Sequence, residues 1–94
     1  MALKRERPDP EAMAIDALGF LAEDVERISR FLAITGIEPG SLRAAAGEPL
    51  FLVSVLDHLL ADEALLLAYA ANRRIAPEML ADARQRLGGR PDFD

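Results

Sequence analysis

The sequence predicts an all-α protein, a compact bundle of about six short helices. Apolar residues recur at helical spacing along most of the chain, and no segment shows the alternation typical of a β-strand. Aromatic residues make up only 5% of the chain, so leucine and alanine must fill the core, which favours helices. With 94 residues, the chain is long enough for one domain with a single modest core.

The first helix has a clear start. Asp9 suits the N-cap position, and Pro10 suits the first helical position, where its missing N–H would be unpaired anyway. Gly19 lies inside this helix, where glycine costs about 1 kcal/mol relative to alanine. We therefore expect another helix to cross closely at Gly19.

The second and third helices also begin and end at residues typical of helix ends. Asp24 is the expected N-cap of the second helix, and Gly36 suits the left-handed position that follows a helix C-terminus. The tripeptide Ile-Glu-Pro at 37–39 begins a short third helix, which Gly47 ends.

The most apolar stretch is 49–72, and it predicts a helical pair around which the rest of the chain packs. Pro49 begins the fourth helix and Asp62 caps the fifth. The fifth helix is apolar almost all round, which favours burial in a core. A sixth helix begins at 75–77 and ends at a pair of glycines.

These elements predict a basic N-terminal arm over residues 1–8, one helical domain over 9–87 and a flexible tail over 88–94. Within the domain, residues 11–47 align without a gap on 49–85, with eight identities in 37 positions. The identities include both aspartate caps and the proline that begins each third helix. The pattern indicates a duplicated three-helix unit whose copies pack together to bury their apolar faces.

Composition limits the possible locations and partners. Charged residues interrupt the apolar stretch, no signal peptide is visible, and cysteine is absent, so we expect a cytoplasmic protein that does not enter a membrane. The formal net charge of −5 repels phosphate backbones and makes nucleic acid an unlikely partner.

Three segments carry a family resemblance: FLAEDVERISRFLAITGIEP, GEPLFLVSVLDHLLADEALLLAYAA and IAPEMLADAR. Together they resemble a family of short all-helical bacterial proteins classed as a domain of unknown function. The resemblance covers about residues 10–87, and Tyr69 stands where the family pattern has phenylalanine. The resemblance implies an all-helical fold. Because the family has no established activity, the resemblance implies no function.

One polar cluster lies within the apolar stretch: Asp57, His58 and Asp62, with Glu63 beside them. His58 and Asp62 have the four-residue spacing of a paired metal site on one helix. However, Asp62 has the position of a cap, which would break the helix between them, and no third ligand is evident. We therefore predict no metal, no cofactor and no catalytic residue, and keep this cluster as an alternative site.

Elimination leaves a non-catalytic module for protein–protein interaction or regulation, with an unidentified protein partner or self-association. We expect its groove between the second helix and the apolar pair, with Arg27, Arg30 and Phe31 at the rim. The alternative is a nucleic-acid-associated regulator that uses a basic C-terminal face. That face consists of Arg73, Arg74, Arg84, Arg86 and Arg90.

Overall fold

The computed structural model describes residues 9–88, and this part of the chain is helical without a strand, which confirms the all-α class. Its elements are α1 (Pro10–Ala22), α2 (Val25–Thr35), a 3₁₀ turn (Pro39–Ser41), α3 (Leu42–Ala45), α4 (Pro49–Leu60), α5 (Glu63–Arg73) and α6 (Glu78–Gly88). The predicted arm over 1–8 lies outside the described residues. The predicted tail over 88–94 also lies outside them, apart from Gly88, which belongs to α6.

The helix ends follow the local chemistry. The carboxylates of Asp9, Asp24 and Asp62 each accept a hydrogen bond from a backbone amide of the following first turn, at 2.9, 2.8 and 3.1 Å. Gly36 ends α2 in the left-handed region with φ of 76°, a conformation that glycine adopts without strain. The predicted caps and the predicted left-handed glycine are confirmed.

The core lies where α1, α4 and α6 pack against one another. Each of these helices buries one apolar face, with five buried side chains from α1, five from α4 and two from α6. Helices α2 and α5 add aromatic rings to this core from its sides. The buried side chains are Met13, Ala14, Ala17, Phe20, Leu21, Phe31, Phe51, Leu52, Val55, Leu56, Leu59, Tyr69, Ala70, Leu80 and Ala83.

Helix α5 is less buried than its composition predicts. Only Tyr69 and Ala70 are buried, and Leu67 is 47% exposed. The expected α4–α5 core pair is therefore wrong: α4 is central, whereas α5 is peripheral. Composition shows that a helix is apolar but not which neighbours cover it, and here α1 and α6 occupy the sides of α4.

The two predicted repeat halves have matching helix boundaries. Helices α2 and α5 begin and end 38 residues apart, and each starts at an aspartate cap. Each also ends at a left-handed residue, Gly36 in α2 and Arg74, with φ of 59°, in α5. The third helices differ, since α3 has 4 residues and α6 has 11.

Two aromatic contacts related by the same 38-residue shift join the halves. Phe20 of α1 packs edge-on against Tyr69 of α5, with ring centroids 5.3 Å apart. His58 of α4, the counterpart of Phe20, packs edge-on against Phe31 of α2, the counterpart of Tyr69, at 5.1 Å. These reciprocal contacts support a duplicated unit, and the duplication itself stays a prediction.

The structure corrects the expected position of Phe31. Its side chain is fully buried and contacts the rings of Phe51 and His58, so it lies beneath the surface rather than at an exposed rim. The sequence pattern placed Phe31 on the apolar face of α2 correctly, but that face packs inward against α4.

We expect Phe31→Ala to lower the free energy of unfolding by about 3–5 kcal/mol, because it leaves a ring-sized cavity in the core. Ile34→Ala on the same helix should change it by less than about 0.5 kcal/mol, since Ile34 is 66% exposed. Urea denaturation of both variants gives the comparison. Should Phe31→Ala not fold, Phe31→Leu restores part of the volume and should fold with an intermediate loss. Equal effects at the two positions would contradict the burial of Phe31.

The expected close crossing at Gly19 is wrong. Gly19 is exposed, and a Cβ atom built there would have no heavy atom within 4 Å beyond its own helix backbone. The glycine therefore costs helix stability without an internal packing reason.

Gly19→Ala should raise the free energy of unfolding by about 0.5–1 kcal/mol, because alanine restricts the unfolded chain and fits the helix. Gly36→Ala provides the matched control and should lower it, since the positive φ strains any residue with a Cβ. Thermal or urea unfolding measures both. A loss of stability in both variants would show that Gly19 has a structural role that the backbone alone does not reveal.

Candidate binding cavity between helix α2 and the α4–α5 junction

A cavity of about 240 Å³ lies between α2 and the junction of α4 and α5. It brings together two groups that the sequence placed in separate candidate sites. Arg27 and Arg30 come from the predicted interaction groove, and His58 and Asp62 come from the alternative polar cluster. The remaining lining residues are Asp24, Glu26 and Leu65.

The two arginines reach the cavity from one face of α2. The guanidinium carbon of Arg27 lies 4.2 Å from the centroid of the Phe20 ring, a cation–π contact that holds the half-buried side chain in place. Arg30 is exposed. Within residues 9–88, neither guanidinium forms an ion pair or a side-chain hydrogen bond. Both are therefore free to bind an acidic group.

Three carboxylates line the cavity, those of Asp24, Glu26 and Asp62, and two of them cap helices. One oxygen of Asp24 accepts hydrogen bonds from the backbone amides of Glu26 and Arg27, and Asp62 accepts one from Leu65. These bonds cap α2 and α5, so helix-start amides already bind two of the negative charges that line the cavity.

His58 is half-buried at the cavity wall, with its ring against Phe31. Burial lowers the pKa of His58 from its ordinary value of 6.5, and the positive charge of Arg30 acts in the same direction. The negative charge of Asp62 opposes both. The imidazole is consequently neutral at pH 7 and can donate one hydrogen bond and accept another.

The predicted cluster of Asp57, His58 and Asp62 is divided in the structure. Asp57 lies outside the cavity and accepts a hydrogen bond from Nε of Arg84 at 2.6 Å, while Asp62 begins the next helix. Among residues 9–88, no group of three histidine or acidic side chains comes together in a way that could hold a metal ion.

The basic C-terminal face is largely engaged in internal ion pairs. Arg73 pairs with Asp16 and Glu23, Arg84 with Asp57, and Arg86 with Asp82. These contacts remove much of the positive charge that the nucleic-acid alternative needs. Arg74 is exposed, and Arg90 lies outside the described residues.

A family model described as a protein of unknown function, DUF3572, matches residues 7–90 of the chain. The chain belongs to the DUF3572 family. No curated protein and no solved structure matches it. Within residues 9–88 of this DUF3572 protein, none of the helices has both the length and the apolar character needed to cross a membrane.

Sequence reasoning missed a polar network on the other side of Phe20. The Tyr69 hydroxyl donates to Oδ2 of Asp16 at 2.7 Å, and Nε of Arg73 donates to the same oxygen at 2.9 Å. The guanidinium of Arg73 also lies 5.5 Å from the centroid of the Phe20 ring. The available signal was Tyr69 itself, because a tyrosine in place of an expected phenylalanine adds a hydroxyl that needs a partner when buried.

The network shifts the pKa values of two of its members. Burial alone would raise the pKa of Asp16, but the hydrogen bonds from Arg73 and Tyr69 outweigh it and hold the pKa below its usual value. Burial raises the pKa of Tyr69, and the hydrogen bond to Asp16 raises it further. At pH 7, Asp16 is therefore a carboxylate and Tyr69 a neutral phenol, and the hydrogen bond between them links α1 to α5.

The single histidine of the chain allows a direct titration. We expect the imidazole resonances of His58 to titrate below pH 6.5 in the folded protein, because burial disfavours the charged ring. The folded state then binds fewer protons than the unfolded state below this pH. The stability due to neutral His58 is thus present above pH 6.5 and is lost as the pH falls.

Nuclear magnetic resonance gives the midpoint, and urea unfolding at about pH 7.5 and about pH 5.5 gives the stability change. His58→Phe is the control, since it keeps a ring against Phe31 and removes the titrating group. The variant should lose less stability between the two pH values than the unmodified protein. A midpoint at or above 6.5 would contradict the proposed effect of burial.

Proposed function

We propose that this DUF3572 protein is a non-catalytic interaction module that binds an acidic segment of a partner protein at the α2 cavity. The observation that carries the proposal is the position of Arg27 and Arg30. Both line one cavity, and neither forms an ion pair within the described residues. Guanidinium groups bind carboxylates through paired hydrogen bonds, which makes an acidic side chain the fitting occupant.

The surface beside the cavity supports a protein partner. Arg27, Arg30 and Ile34 are spaced at i, i+3 and i+7, so they form one stripe along α2. Ile34 is 66% exposed. A partner segment with a carboxylate next to an apolar side chain would match this stripe, with charge setting orientation and the apolar contact adding buried area.

The chemistry of the cavity favours binding over catalysis. The carboxylates of Asp24 and Asp62 are engaged as helix caps, where they accept hydrogen bonds from backbone amides. The neutral ring of His58 can contribute a hydrogen bond to a bound group. The chain contains no cysteine, which is compatible with a reducing cytoplasm, where we propose it acts.

The test is an affinity capture from native lysate with the tagged full chain, followed by measurement of the dissociation constant for the purified captured protein. Arg30→Glu should weaken binding at least about tenfold, equivalent to about 1.4 kcal/mol, because it replaces attraction to a carboxylate with repulsion. Arg43→Glu is the matched control. It makes the same charge change at an exposed arginine of α3 that does not line the cavity.

A protein captured after nuclease treatment by the unmodified chain and by Arg43→Glu, but not by Arg30→Glu, supports the proposal. Equal capture by all three chains would place the partner elsewhere on the molecule. Capture that disappears with nuclease would instead favour the nucleic-acid alternative at the C-terminal arginines.

A further inference from the structure

Helix α5 has an outward face without a polar side chain. Ala64, Leu67, Ala68 and Ala71 occupy positions i, i+3, i+4 and i+7, and all four are exposed. Leu67, the largest of them, is 47% exposed. Isolated exposed apolar residues are ordinary, but a contiguous apolar helix face is typical of an interaction surface.

The matching positions of α2 show that the fold does not require this apolar face. Thirty-eight residues earlier, Glu26, Ser29, Arg30 and Ala33 occupy the corresponding places and are likewise exposed. The two helices share bounds, caps and a left-handed end, yet only α5 presents an uncharged surface. The difference therefore needs an explanation beyond folding of the single chain.

The ends of α5 carry opposite charges. Glu63 is its first residue, and Arg74 follows its last, so a rise of about 1.5 Å per residue separates them by roughly 16 Å. Both are exposed, and neither forms an ion pair with another residue of 9–88. A second α5 laid antiparallel on the first would place each Glu63 opposite the Arg74 of the other copy.

We propose that α5 is a self-association surface on which a second copy of the chain docks antiparallel. The arrangement has twofold symmetry, so each copy contributes the same patch, as most homodimers do. The alanines allow the two helices to approach closely, Leu67 of each copy packs into the other, and the two Glu63–Arg74 pairs fix the antiparallel orientation. One helix pair buries less area than a standard stable interface, so the dimer should be weak and reversible.

Variants with reversed charge at Glu63 or Arg74 test the proposal. Sedimentation equilibrium over a range of concentrations measures their association. Glu63→Arg alone and Arg74→Glu alone should each weaken association at least about tenfold, because each places like charges opposite one another. An equal mixture of the two variants should associate again, since every facing pair then has opposite sign. Circular dichroism of each variant checks that α5 remains helical.

A second pair of variants tests the apolar contact. Leu67→Glu should abolish association, whereas Val25→Glu should leave it unchanged. Val25 is 78% exposed at the start of α2, so this control adds the same charge to an exposed apolar position away from α5. A protein that stays monomeric at every concentration would overturn the proposal. Equal loss with Leu67→Glu and Val25→Glu, or failure of the mixture to associate, would also overturn it.

This proposal is independent of the α2 cavity. Arg30→Glu should leave the self-association constant unchanged, because Arg30 is on α2 and not on the outward face of α5. Loss of association with Arg30→Glu and not with Leu67→Glu would move the contact to α2 and refute the role of α5.

Discussion

Two crossed aromatic contacts join the peripheral helices α2 and α5 to the core that α1, α4 and α6 form. Phe20 on Tyr69 joins α1 to α5, and His58 on Phe31 joins α4 to α2. Each contact pairs a helix of the first half with a helix of the second, so neither half can move without disturbing rings in the core. The cavity lies between α2 and the start of α5, beside the C-terminus of α4.

The two halves that the 38-residue shift aligns differ in the side chains that they present to the cavity. Asp24 and Asp62 correspond, and both line the cavity as helix caps. Arg27 and Leu65 also correspond and also line it, but one provides a guanidinium and the other an apolar contact. Charge therefore enters the cavity mainly from α2. Helices α2 and α5 thus have matching bounds and caps, but at the cavity α2 carries the charged side chains and α5 an apolar one.

Local chemistry predicted the helices well, because caps and left-handed ends depend on residues that are close in sequence. The aspartate caps and Gly36 needed no knowledge of the tertiary fold. Contacts between distant residues could not be predicted in this way. The Asp16–Arg73 pair joins residues 57 apart, and only the tertiary fold brings Arg27 and His58 to one cavity. The same limit made α5 look like a core helix, since its exposure depends on where α1 and α6 pack.

The two proposed surfaces use different faces and different physical interactions, so they can operate together. In these proposals, Arg27 and Arg30 of the cavity would bind an acidic group, and the outward face of α5 would pack against a second copy. A twofold dimer would carry two cavities at a fixed separation. A partner with two acidic segments could then bind both, and the second binding event would be intramolecular. Two weak contacts would combine into tighter binding, and this gain would give a chain whose α2 cavity is modest in size a physical reason to self-associate.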